Sequence, residues 1–278
     1  MSDIINLVLS TSIMLLLFGV GLSTPFSSVL AVAQQYPLML RGLVANFVIV
    51  PCMFVFALQG VSLSPDVVIG LLVLAAVPIA PLAPPFVAMG QGDTAYAVGL
   101  MVLAAFLGLF LTPLILALTL PASDSELQID TVKIFQILLI VQLTPLALGM
   151  IINRARPVWA KQLARVVPKL GRSGILVTLI FIAAGQADQI MGLGVLSYAV
   201  ALVFIVACLL IGDLAMRGKV VALRRSLAIS TTIRNGALAL VIVNSNLPSS
   251  QAVTIVFVFG LLSLIVSFVY GKLSRNML

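Results

Sequence analysis

The run SLAISTTIRNGALALVIVNSN, beginning at Ser226, sets Ser230, Thr231, Thr232, Arg234, Asn235 and Gly236 in the middle of an otherwise apolar stretch. Hydroxyls, an amide and a guanidinium in that order suit anion recognition, because the planar fork of Arg matches a carboxylate or sulfonate. A base for bond-breaking chemistry is absent from the set: there is no histidine in the chain and no pair of carboxylates. Arg234 follows Arg224 and Arg225 by about ten residues, roughly 15 Å along a helix. Even low estimates charge about 2.5–3.5 kcal/mol for an Arg at the centre of a membrane helix, so this one needs a partner or a purpose. The alternative is that it snorkels to the surface beside Arg224 and Arg225. A second unusual run, PIAPLAPP, carries Pro78, Pro81, Pro84 and Pro85. Each proline removes a backbone donor and frees a carbonyl four residues earlier. In lipid such groups are tolerated only against protein or a water-filled cavity, so four in eight residues predict a broken helix rather than a kinked packing helix. Gly236 is the corresponding break residue of the first run.

The elements that must position these residues follow from composition. Of 278 residues 62% are hydrophobic and 8% charged, with a mean hydropathy of +1.27. A soluble domain carries about 25% charged residues, so an all-α polytopic membrane protein is expected. Nine segments could cross a bilayer: about 4–22, 38–58, 67–87, 95–118, 133–152, 173–187, 194–212, 226–245 and 251–271. The first has no basic region before it and no clear cleavage site after it, and reads as a retained helix. Thirteen of the 15 Lys and Arg residues fall in alternate connections or the tail, at Arg41, in 154–172, in 217–225, and at Lys272 and Arg275. The opposite connections hold Asp66, Asp124, Glu126, Asp130 and Asp188, with Asp3 at the start and Lys133 as their one basic residue. The positive-inside rule then places the N-terminus outside and the C-terminus in the cytoplasm of a cell inner (plasma) membrane protein. Connection 153–172 reads as a basic, amphipathic loop containing Trp159, Leu163, Val166 and Val167, able to lie on an anionic leaflet. Cys52 and Cys208 read as small hydrophobes. Cofactors and metals are not expected, nor is nucleic acid a partner, since the basic residues are scattered without interleaved aromatics. ATP-driven transport is excluded by the lack of a G-x-x-x-x-G-K-[ST] run; Gly218-Lys219 and Gly271-Lys272 are followed by Val and Leu.

The third and eighth segments, both interrupted, occupy matching positions if segments 1–4 correspond to segments 6–9. An offset of five gives the two copies opposite orientations, so residues 1–118 form one inverted repeat and 119–278 a linker plus the second. The crossing helices are then 67–87 and 226–245. Paired broken helices in inverted repeats mark the midplane site of a secondary transporter. Their half-helix N-termini suit an anionic substrate.

The stretches MLLLFGVGLSTPFSSVL, YPLMLRGLVANFVIVP, GLLVLAAVP, AMGQGDTAYAVGL and AISTTIRNGALAL together resemble the bile acid:sodium symporter family, from about Met14 to Lys272. The resemblance implies a panel domain of segments 1, 5 and 6 and a core domain of segments 2, 3, 4, 7, 8 and 9, with two unwound helices crossing in the core. It also implies positions for two sodium sites, and there this chain departs. A Ser-Asn pair of the family falls on Ala83 and Pro84, two hydroxyl ligands on Ala97 and Met101, the shared glutamate on Ser230 and a glutamine on Arg234. Another glutamine becomes Asn46, while Asn235 is retained; the backbone contributors fall on Thr231 and Ile233. Sodium needs several oxygens, and Arg offers donors only. Sodium coupling of the family type is therefore expected to be lost, with Arg234 mimicking an ion-loaded state. One carboxylate with two sodium ions and one arginine with none both sum to +1. A proton carrier would need a titratable group in the pathway; Asp93, the nearest, reads as a helix cap after Gly92. The expected function is alternating-access transport of a small organic anion by Arg234, Asn235, Asn46, Ser230 and Thr231. Two alternatives stay open: a sodium-coupled symporter with altered sites, and a non-transporting receptor or tether.

Overall fold

The chain is an all-α polytopic membrane protein. The computed structural model describes residues 2–120, 130–247 and 250–275; Asp124 and Glu126, two of the acids expected on one face, lie outside those residues. Among the described residues, seven helices are long and apolar enough to cross a bilayer. In chain order the helices are α1 (Ser2–Ser23), α2 (Phe26–Ala33), α3 (Tyr36–Leu58), α4 (Pro65–Ala76), α5 (Ala83–Met89), α6 (Thr94–Thr119), α7 (Thr131–Ala155), α8 (Pro157–Gly185), α9 (Ala187–Gly192), α10 (Gly194–Ala215), α11 (Val221–Thr232), α12 (Gly236–Asn246) and α13 (Gln251–Arg275). Lipid leaves no hydrophobic drive between helices, so close backbone approach must hold them. Gly21 of α1 and Gly149 of α7 supply it, since a Cβ on either would collide with the other helix's backbone. Helix α1 packs along α7 and α8 on one side and reaches α12 on the other. Phe54 stacks at 4.1 Å on Phe204 and lies 6.3 Å from Phe259, which ties α3, α10 and α13 together.

Both segments expected to break do so. The third divides into α4 and α5 around residues 77–82, and the eighth into α11 and α12 around residues 233–235. Not every proline of the first break interrupts it. Pro84 and Pro85 follow the first residue of α5, within its opening turn, where a missing N–H costs nothing; Pro78 and Pro81 make the break itself. Gly236 is the first residue of α12 and likewise starts a half-helix.

Two expectations need correction. The basic connection 153–172 is not a loop: α7 runs to Ala155 and α8 starts at Pro157, so Arg156 alone joins them. The basic residues obscured a helix whose buried stripe continues into the apolar part through Ala160, Gly171 and Ile175. Helix α2 was not anticipated, because eight residues are too few to register as a span; Pro25 precedes it and Gln34 ends it. Asp93 does cap a helix, accepting the Tyr96 N–H at 2.9 Å at the start of α6. Cys52 and Cys208 are both free thiols.

Candidate functional site at the crossing of two broken helices

The two breaks meet. Ile79 and Arg234 form an isolated antiparallel bridge, with Ala80 N–H donating to Ile233 O at 3.0 Å and Asn235 N–H to Pro78 O at 2.9 Å. Two unwound segments thus satisfy part of their backbone demand with each other, as low-dielectric surroundings require.

The remaining demand explains Arg234. Leu74 O would accept from the residue four places on, but that is Pro78, which has no N–H. Val77 O has Pro81 in the same relation. Arg234 replaces the missing donors: Nε donates to Leu74 O at 3.1 Å, and Nη2 to Ala75 O at 2.6 Å and Val77 O at 2.7 Å. Ala76 O is taken instead by Thr112 Oγ1 from α6, at 2.8 Å. The guanidinium lies against the C-terminal end of α4, the negative pole of that half-helix. It is 2% exposed, so it neither snorkels nor reaches lipid.

Asn46 completes the cage. Helix α3 passes through a π-turn over Ala45–Ile49, in which Val50 N–H donates five residues back to Ala45 O. In that register Asn46 O would need an N–H from residue 51, which is a proline. Its carbonyl is left to Arg234 Nη2 at 3.4 Å, and its Oδ1 accepts from Nη1 at 2.8 Å. Asn46 Nδ2 in turn donates to Gly42 O at 2.8 Å and Thr231 Oγ1 at 3.3 Å. Arg234, Asn46 and Thr231 therefore form one buried network of side chains from α3, α11 and the second break.

The other expected site residues are placed differently. Asn235 caps α12 through Oδ1, which accepts the Leu238 N–H at 3.2 Å, while its Nδ2 is buried with no partner. Ser230 is fully buried and its Oγ also has no partner. Ala83 and Pro84 lie in the first turn of α5; Ala97 and Met101 are buried in α6. None of these four carries a side-chain oxygen. Sequence reasoning missed the carbonyls of Leu74, Ala75 and Val77, and also Thr112. Proline spacing was the available signal for the carbonyls: Pro78 and Pro81 name two of them by subtraction.

Two cavities flank the crossing. The smaller, about 60 Å³, is lined by Ala80, Arg234, Asn235 and Gly236 with Leu16 and Leu82. The larger, about 480 Å³, opens between α1, α2, α6, α8 and the first break. Leu16, Pro81 and Leu82 line both, and so partition them.

Residues 11–193 match the sequence model of the Sodium Bile acid symporter family. The match covers the first break and Asn46 and stops before the second, so Arg234 lies beyond it. No curated protein matches the chain.

Proposed function

Because the chain belongs to the Sodium Bile acid symporter family, a family of membrane transporters, we propose that it is a secondary carrier of small organic anions that works without sodium. The cage around Arg234 carries this reading. A hard cation needs several oxygens in one shell. The cluster best suited to supply them, the carbonyls of Asn46, Leu74, Ala75 and Val77 with Asn46 Oδ1, is bonded to a guanidinium that belongs to the chain. The residues at the family's sodium positions also fit that ion poorly. Ala83, Pro84, Ala97 and Met101 bring no side-chain oxygen, and Ser230 brings one hydroxyl.

Within the polar pocket of Arg234, Asn235, Asn46, Ser230 and Thr231, the first two roles differ. Arg234 acts chiefly through its fixed positive charge, since Nε and Nη2 are directed to Asn46 and the carbonyls of Leu74, Ala75 and Val77, and Nη1 to Asn46. Asn235 Nδ2 and Ser230 Oγ are the uncommitted polar atoms. Asn235 lines the small cavity, beside the first turn of α12, whose dipole favours an anion. A cavity of 60 Å³ is too small for an organic anion, so the core must move against α1 and α8 for the substrate to reach it. The paired breaks support two inverted repeats, residues 1–118 and 119–278, and the basic helix ends support a cytoplasmic placement of that face in the plasma membrane. The reading is of a carrier and not of an enzyme.

The test is uptake of an organic anion by purified protein in proteoliposomes, with sodium or choline as the external cation. Equal saturable uptake in both is expected. Uptake that collapses in choline would overturn the sodium-free reading.

A further inference from the structure

The first half of α8 carries three separate faces. Ala160, Gly171 and Ile175 are buried, with Gly171 set against Ser12 and Leu16 of α1. Trp159, Leu163, Val166 and Leu170, at i, i+4, i+7 and i+11, form an exposed apolar face on one side. Lys161, Arg165, Lys169 and Arg172, at i, i+4, i+8 and i+11, form an exposed basic face on the other. Continued at helical spacing, the basic face becomes Leu176 and Ile180, at i+15 and i+19 from Lys161, and both are exposed. One outward face is therefore cationic toward the start of the helix and apolar further along, the order in which a phospholipid presents phosphate and acyl chains. With 29 residues, α8 is about 43 Å long, enough to cross a hydrocarbon core of about 30 Å and enter a headgroup layer.

Nothing within the protein neutralises these charges. Residues 131–187 contain no Asp or Glu. Asp213 is paired with Arg224 at 2.5 Å, and Asp93 accepts the Tyr96 N–H. None of the four basic side chains has a hydrogen bond or ion pair among the described residues. Like charges at i, i+4 repel one another, so the array calls for counter-charge from outside the chain. A soluble anion would supply charge alone. An anionic lipid supplies it together with apolar cover for Leu176 and Ile180.

We propose that this face of α8 is a binding site for an anionic phospholipid, whose phosphate is received by Arg165, Lys169 and Arg172 and whose acyl chains lie along Leu176 and Ile180. Lys161, one turn further out, adds to the attraction without touching the acyl region. A lipid bound there fixes α8 to its leaflet, on the side of the molecule against which the core is to move. The site needs only the bilayer, so it stands or falls separately from the carrier reading.

The experiment is thermal unfolding of detergent-purified protein titrated with dioleoylphosphatidylglycerol or dioleoylphosphatidylcholine. The quantity read is the micellar lipid fraction that gives half of the maximal rise in melting midpoint. Phosphatidylglycerol should raise the midpoint of wild type and phosphatidylcholine should not. Each basic residue near an anionic surface contributes a factor of about five, so R165Q/K169Q should need about 30-fold more phosphatidylglycerol. The control R217Q/K219Q removes two exposed basic residues outside α8 and should titrate like wild type. Equal stabilisation by the two lipids, an unchanged R165Q/K169Q titration, or an equal loss in R217Q/K219Q would overturn the site, the last by showing general attraction to any basic residue. Stabilisation by sn-glycerol 3-phosphate or by an acidic peptide as effective as that by phosphatidylglycerol would also overturn it, in favour of a soluble anion or an acidic partner. If R165Q/K169Q does not fold, wild type decides alone: its preference for phosphatidylglycerol should vanish in about 1 M potassium chloride, where charges are screened within about 3 Å, and a preference that persists there overturns the assignment.

Discussion

Replacing Arg234 by glutamine should destabilise the protein and make its stability depend on sodium. The shorter amide can at best keep the link to Asn46, so the carbonyls of Leu74, Ala75 and Val77 lose their donors. Their usual helical partners cannot return, because Pro78 and Pro81 stand where two of the N–H groups would be. A buried unsatisfied carbonyl costs about 1–3 kcal/mol. Water entering the polar gap recovers part of this, so three of them give about 3 kcal/mol as the lower edge. At about 2–4 °C per kcal/mol for a chain of this size, the melting midpoint should fall by about 6–12 °C. The same substitution leaves several oxygens converging on a space that held a positive charge. Sodium at about 100 times its dissociation constant for that space would restore about 2.7 kcal/mol. The assay is thermal unfolding of detergent-purified protein in sodium chloride and in choline chloride. The wild-type curves should coincide, and the R234Q curve should lie low in choline and recover in sodium. An R234Q protein that melts with wild type in both salts would refute the idea that the guanidinium stands in a cation's place.

Asn46→Ala removes one acceptor of the guanidinium and the link to Thr231; a loss of about 1.5–3 kcal/mol is expected, read as a lower melting midpoint. Pro78→Ala returns an N–H to Leu74 O, letting α4 extend into the break; transport should fall while helical content by circular dichroism does not. Gly149→Val drives a side chain into the backbone of α1 around Gly21, at 2.9 Å for the Cβ alone, and should lower folded yield sharply in size-exclusion chromatography. Lys133 donates to Ser245 O, and Asn244 Nδ2 to Asn6 Oδ1 at 2.7 Å, so polar contacts close the end of the molecule opposite the basic helix ends. Lys133→Ala should increase labelling of a cysteine introduced at Asn244 by a membrane-impermeant maleimide; unchanged labelling would argue that Lys133 plays no part in closing that end.

Much of the fold was legible because lipid imposes a long apolar period that few charges can disturb. The breaks were legible too, since four prolines in one segment and an arginine in another conflict openly with a continuous membrane helix. Helix α8 was misread because its first four turns carry basic residues at helical spacing on a face away from the protein, and hydropathy alone scores such turns as loop. The direction of Arg234 was not legible. Sequence places a guanidinium near the crossing, but its partners are main-chain oxygens, which every residue has and only the prolines unmask. Asn46 illustrates the same limit: its amide could be foreseen as a polar lining, whereas its freed carbonyl depends on a π-turn together with the missing N–H of Pro51 five residues on.

The cage around Arg234 also has an energetic consequence. A dissolved ion that binds with a substrate and is released on the far side runs down its own gradient, and that descent can drive the substrate uphill. A charge tied to the chain crosses with the loaded core and comes back with the empty one. Over a complete cycle it does no net work, however favourably it is held. For a carrier of the proposed sodium-free kind, what remains is the substrate's own concentration difference and the membrane voltage, worth about 2.3 kcal/mol per elementary charge per 100 mV. Across a membrane that is negative inside, a monovalent anion carried alone is pushed outward, so such a carrier accumulates nothing by itself and runs as an exit route, or as an exchanger of one anion for another.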